Sequence, residues 1–114
     1  MTDRELLELA AKAAGINTKR SLQYADGAYD WPEKAGRWNP LADDGDAFRL
    51  AVKLGMTVSL EPPTETDAAC VIVADWSNDT GWPRVSLSEP HKKDSYAATR
   101  RAIVRAAAEI GASL

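Results

Sequence analysis

Between Ala47 and Ile110 the apolar residues change their spacing twice, from a period of about 3.6 residues to about 2 and back, and few folds satisfy that order. Ala47, Leu50, Ala51 and Leu54 fall at i, i+3, i+4 and i+7, which predicts a helix with one buried face. Phe48 and Val52 widen this stripe, while Arg49 and Lys53 lie opposite. Trp38-Asn39-Pro40 anchors and turns the chain ahead of the helix. Asp43, Asp44 and Asp46 then offer acceptors to the free N–H groups of a first helical turn and suit its positive dipole end. Gly55 stops the helix.

Strand spacing follows. Thr57 to Glu61 alternates Val58 and Leu60 with Thr57, Ser59 and Glu61. Pro62-Pro63 opens a turn, because a double proline cannot continue a sheet ladder. Ala68 to Trp76 is apolar on both faces through Cys70-Val71-Ile72-Val73-Ala74, which predicts a central strand covered above and below. Ser77 to Gly81 supplies turn residues, and Trp82 to Ser88 returns with Val85 and Leu87 inward. After a loop over Glu89 to Lys93, a last helix starts near Asp94 or Ser95. Its stripe is Thr99, Ala102, Ile103, Ala106, Ala107 and Ile110, with Arg105 and Glu109 as an i,i+4 pair and Gly111 at its end.

The N-terminal third opens with a helix from Thr2 or Asp3 to Ala14, with Leu6, Leu9, Ala10 and Ala13 buried, Leu7 and Ala14 beside them, and Gly15 as its stop. Ser21 to Ala25 and Ala28 to Trp31 predict a short hairpin or ordered loop about Asp26-Gly27, and Pro32 to Gly36 reads as loop. The fold class is therefore α+β in a single domain, residues 1–114. An N-terminal helix and a short hairpin or loop precede an α-β-β-β-α order, with an antiparallel three-stranded meander packed against two helices.

A chain of 114 residues, 45% hydrophobic and 27% charged, can bury one core. No apolar run reaches the roughly 18 residues of a membrane span, and the opening residues lack a signal-peptide pattern. The expectation is a cytoplasmic protein without membrane association, with Cys70 as a buried thiol. Metal and catalytic motifs are missing. In a calcium loop started at Asp43 or Asp44, the twelfth position, which needs a bidentate glutamate, falls on Leu54 or Gly55. His91 is the sole histidine, so a multi-histidine site is excluded, and Cys70 lies mid-strand rather than in the electropositive, accessible setting of a reactive thiol. The chain has no phosphate loop, dinucleotide fingerprint or nucleophile elbow. No catalytic residue, metal or cofactor is assigned, and a small enzyme or nucleotide-binding protein ranks third among the functions considered.

Two sets of residues carry the functional alternatives. Trp31, Trp38, Trp76 and Trp82 all fall in loops or at strand ends. Either they cap the edges of the core, or they form an aromatic surface for a protein partner. The second set is basic: residues 1–90 hold 9 basic and 15 acidic side chains, whereas residues 91–114 hold 5 and 2. Lys92, Lys93, Arg100, Arg101 and Arg105 are thus the candidates for contacting nucleic acid, against a net charge of -3.

The Trp38-Asn39-Pro40 anchor, the Asp43-Asp44-Gly45-Asp46 turn and the Ala98-Thr99-Arg100-Arg101-Ala102 opening of the last helix resemble the small accessory proteins of tailed bacteriophages and prophages, in particular the NinX-type group. That resemblance implies a small, dispensable phage-encoded protein in the cytoplasm of a bacterial host, and it brings no catalytic site. Residues 41–112 are also similar in topology to a double-stranded-RNA-binding domain, which grips phosphates at the start of its final helix. Here that start, Asp94-Ser95-Tyr96, departs from the pattern. The expectation is a non-catalytic protein-binding module with a host or phage protein as partner, and the alternative is a nucleic-acid-associated module using the last helix.

Overall fold

A computed structural model describes residues 1–31, 36–65, 69–75, 85–91 and 93–114. Among these residues, three helices and two small sheets follow the expected α+β order. Helix α1 spans Asp3–Ala13, and the Thr2 hydroxyl caps it by accepting from the Glu5 N–H at 3.2 Å. Its buried residues are Leu6, Leu7, Ala10 and Ala11, so Leu7, expected beside the face, lies in it, Ala11 joins it, and Leu9 and Ala13 are half-buried. Two contacts border this face. Leu7 packs beneath the turn at Gly27, and Leu9 lies against Gly111 at the far end of the chain.

The turn at Asp26-Gly27 forms as predicted, with Gly27 at φ 94, but the strand before it shrinks to a single bridge between Gln23 and Tyr29. Strand β1 (Tyr29–Trp31) pairs instead with β2 (Gly36–Trp38), matching Tyr29 to Trp38 and Trp31 to Gly36. Gly36, expected in a loop, opens a strand. The remainder of the expected loop, residues 32–35, lies outside the described residues, as do residues 66–68 and 76–84, on which the expected turn at Ser77 to Gly81 falls.

Helix α2 (Asp44–Lys53) is capped by Asp43, whose carboxylate accepts from the Asp46 N–H at 2.8 Å. Asp46 is itself buried. Its carboxylate reaches back to the Asn39 N–H at 2.9 Å and meets Arg49 at 3.2 Å. The arrangement is a variant of the reciprocal capping box, in which the third residue's side chain satisfies an N–H ahead of the helix. It ties the Trp38-Asn39-Pro40 anchor to α2, so the acidic cluster serves helix initiation.

Strands β3 (Met56–Glu61), β4 (Cys70–Asp75) and β5 (Val85–Pro90) form the antiparallel meander in the order β3-β4-β5. Directly opposed residues of an antiparallel pair share a face. The register of Val58 with Val73, and of Val73 with Leu87, therefore places Met56, Val58, Leu60, Val71, Val73, Val85 and Leu87 together on the helix side. Val71, Val73 and Val85 are buried there beneath α3 (Ser95–Ala112). The opposite face carries Ala74, which is buried, Ser59, Ile72 and Cys70, all half-buried, and Ser86 and Ser88, which are exposed. Strand β4 is central, buried on the helix face at Val71 and Val73 and on the other at Ala74, with Ile72 half-buried there, and the Cys70 thiol on that second face is half-buried rather than buried.

Helix α3 starts where predicted, with the Asp94 carboxylate accepting from the N–H groups of Tyr96 and Ala97. Its burial exceeds the expected stripe: Ala98, Val104 and Ala108 join Ala102, Ile103, Ala106, Ala107 and Ile110. The helix is wrapped by α1 on one side and by β4, β5 and α2 on others, and only an alanine-rich surface admits so many neighbours. Gly111 is inside this helix rather than at its end. Thr99, expected on the buried stripe, is half-exposed.

Candidate functional site

Helix α3 lies over β4 and β5, while α2 covers the beginning of β3. The remaining length of β3 is left as the floor of a groove. Val58 and Leu60 form that floor, Phe48 and Val52 of α2 stand on one side, and Tyr96, Thr99 and Ile103 of α3 stand on the other. The groove has a volume of about 740 Å³ and is lined mainly by apolar atoms. Its polar lining residues are Asp44, His91, Ser95, Thr99 and Arg100. The Nε2 atom of His91 is buried there and makes no hydrogen bond among the described residues.

Among the described residues, eight large hydrophobic side chains are exposed, and five of them, Phe48, Val52, Val58, Leu60 and Tyr96, converge on this groove. Phe48 is 69% exposed, Leu60 64% and Tyr96 71%, values at which each ring or branched chain is mostly in water. Scattered surface hydrophobics are ordinary, whereas a contiguous set of this kind marks an interaction surface. Sequence reasoning placed Phe48, Val52, Val58 and Leu60 on the apolar faces of their elements, which is where they lie, but took those faces to be fully covered. The signal that separates them is their excess: a stripe widened by Phe48 and Val52 is broader than one neighbouring helix can bury. Tyr96 was read only as part of the helix start.

The tryptophan candidates divide. Trp38 is 0% exposed and packs edge-to-face on Trp31, with ring centroids 5.9 Å apart. A ring wholly in the core presents no surface to a partner, so Trp38 is a structural residue. Trp31 is half-buried, with the Lys53 ammonium 5.4 Å from its ring centroid, and it takes no part in lining the groove. Trp76 and Trp82 lie outside the described residues.

Three of the five basic candidates, Arg100, Arg101 and Arg105, are ion-paired within the fold. Arg100 donates to the Leu41 carbonyl at 2.8 Å and pairs with Asp44 at 2.6 Å, which binds α3 to the start of α2. Arg101 reaches Asp3 of α1 at 2.8 Å. Arg105 pairs with Glu89 of β5 at 2.6 Å, in place of the expected partner Glu109. Lys93 is exposed, and Lys92 lies outside the described residues. The last helix therefore carries its arginines as ties to three different elements, each with an acid attached.

Among the described residues no group of three His, Cys, Asp or Glu side chains is placed to hold a metal ion, and no helix is long and apolar enough to cross a membrane. No protein family, curated protein or solved structure matches the chain.

Proposed function

We propose that this protein is a non-catalytic protein-binding module and that the groove between α2, β3 and α3 is where its partner docks. The observation behind this reading is the convergence of Phe48, Val52, Val58, Leu60 and Tyr96 on one concave surface. Aromatic residues flanking an apolar floor are the usual anchors of protein interfaces, and their burial by a partner drives association. The surface is mainly apolar with a few polar and charged side chains in its lining, the composition of a protein interface. The sequence resemblance supplies the setting, that of a small tailed-phage or prophage accessory protein acting on a host or phage protein in the bacterial cytoplasm.

Affinity capture from a bacterial lysate tests the reading, using the wild type beside Phe48→Lys and Leu60→Lys. Both side chains are exposed, so the fold should tolerate the changes. A protein retained by the wild type and lost from both variants supports the groove. Retention that is indifferent to both variants counts against it. A partner that disappears only on nuclease treatment favours the nucleic-acid alternative.

A further inference from the structure

We infer that the chain docking at this surface is a second copy of the protein, joined antiparallel to the first along strand β3. The inference rests on the groove being a protein-docking surface and names what docks. Strand β3 is an edge strand, since the sheet order is β3-β4-β5, and its outer side has no backbone partner among the described residues. An unpaired edge is a template for another strand, and folded proteins usually guard it with charge, proline or a bulge. Both edges of this sheet finish in such a guard, Glu61-Pro62 at the end of β3 and Glu89-Pro90 at the end of β5. Strand β5 ends in Glu89-Pro90, with Glu89 turned to the helix side of the sheet and held by Arg105. The first five residues of β3 have no such guard. Met56-Thr57-Val58-Ser59-Leu60 contains no charge and no proline, and proline arrives only at Pro62.

The same five residues are chemically palindromic. A two-fold interface brings one patch onto itself, so residue i meets j while j meets i. With the two-fold axis at Val58 and perpendicular to the sheet, Val58 faces Val58 and Met56 faces Leu60 on the helix side. Thr57 faces Ser59 on the other side, and opposed hydroxyl residues of this kind stabilise antiparallel pairs. Glu61, the first charge, falls opposite Gly55, so no like charges meet. Such a join makes one continuous sheet from the two meanders, in which the exposed Val58 and Leu60 floors run together. Phe48 and Val52 of both copies then lie on the same face on either side of the join. The five exposed groove residues present on the order of 500 Å² per copy, a large part of the roughly 800 Å² per partner in a standard interface.

Sedimentation velocity and light scattering over a concentration series test this with the full chain. The wild type should give twice the 12.3 kDa of a single chain. Val58→Lys and Val58→Glu should each halve that mass, because the axis places identical charges face to face. Mixing the two variants should restore the dimer, since an ammonium from one chain then meets a carboxylate from the other across the axis. The restoration also shows that both variants are folded. A wild type that stays at single-chain mass overturns the inference, as does a dimer unmoved by either substitution or a mixture that stays monomeric. The lysate capture keeps the two readings apart. A monomer that holds a foreign protein through Phe48 and Leu60 removes the second-copy inference alone, and a monomer whose capture ignores those residues removes the groove as well.

Discussion

Gly111 lies so close to the Leu9 backbone that a Cβ built on it would overlap the Leu9 carbonyl oxygen. This contact sets the distance between α1 and α3. The helices meet through Leu6, Leu7, Ala10 and Ala11 on one side and the alanines of α3 on the other. Backbone cannot give way as the end of a flexible side chain can, so Gly111→Ala must push the helices apart. The expected loss is about 1–3 kcal/mol, the usual range for overpacking a close contact, even though alanine is the better helix former. A urea titration of the variant measures it. A stabilised Gly111→Ala would mean that the helix pair is looser than the structure places it.

Ile103 and Arg100 separate packing from pairing on one helix. Ile103 is 4% exposed, and Ile103→Ala should cost roughly 2–5 kcal/mol. From the sequence, Arg100 is off the stripe and its removal should cost within about 0.5 kcal/mol. The structure raises that figure. The guanidinium joins the Leu41 carbonyl and Asp44, and its side chain is only 18% exposed, so Arg100→Ala should cost about 1–2 kcal/mol. Arg100→Lys should recover little, because a single ammonium does not reproduce the two-pronged geometry. Denaturation midpoints of the three variants decide between the two figures.

Element order was legible because each element announces itself locally. Thr2, Asp43 and Asp94 cap their helices as their residue types suggest, and the 2-residue alternation of Val85 and Leu87 points to the core as read. What was not legible is lateral placement. Val58 and Leu60 have the pattern of a buried strand, and only the position of α3 over β4 and β5 leaves them open. No local spacing encodes that offset. Strand β2 was missed for a similar reason: Gly36-Arg37-Trp38 has little strand propensity of its own and is ordered by pairing with Tyr29–Trp31. Gly111 has the look of a helix stop until Leu9, about a hundred residues earlier, is placed against it.

Asp26 gives a pH prediction with a definite sign. The Ala28 N–H donates to its carboxylate at 3.1 Å, and Arg37 pairs with it at 2.6 Å. Together these hold its pKa below the usual 3.8, with the Ala28 hydrogen bond as the largest single cause. A depressed carboxylate favours the folded state above its unfolded pKa, and that contribution is lost as the pH falls through the lower folded value. The turn at Asp26-Gly27 should therefore hold at neutral pH and loosen only in acid below 3.8. In an NMR titration, Arg37→Ala should move the Asp26 midpoint upward by only part of the shift, and a full return to the ordinary value would mean that the arginine dominates.

The nucleic-acid alternative has its own outcome. Arg100, Arg101 and Arg105 would have to leave Asp44, Asp3 and Glu89 before they could meet phosphates, and each departure exposes an acid at the contact. A polyanion approaching α3 would meet neutralised pairs rather than a basic stripe, on a chain whose net charge is -3. We expect gel-shift titrations with duplex RNA, duplex DNA and single strands to show no binding that falls steeply with salt. Replacing Lys92, Lys93, Arg101 and Arg105 by glutamine tests the same point without disturbing the tie that Arg100 makes to α2. In a true phosphate-binding site this variant flattens the salt slope, which counts the counterions released. Tight binding by the wild type that weakens with salt and disappears in the variant would make the last helix, and not the groove of Phe48 and Leu60, the working surface of the protein.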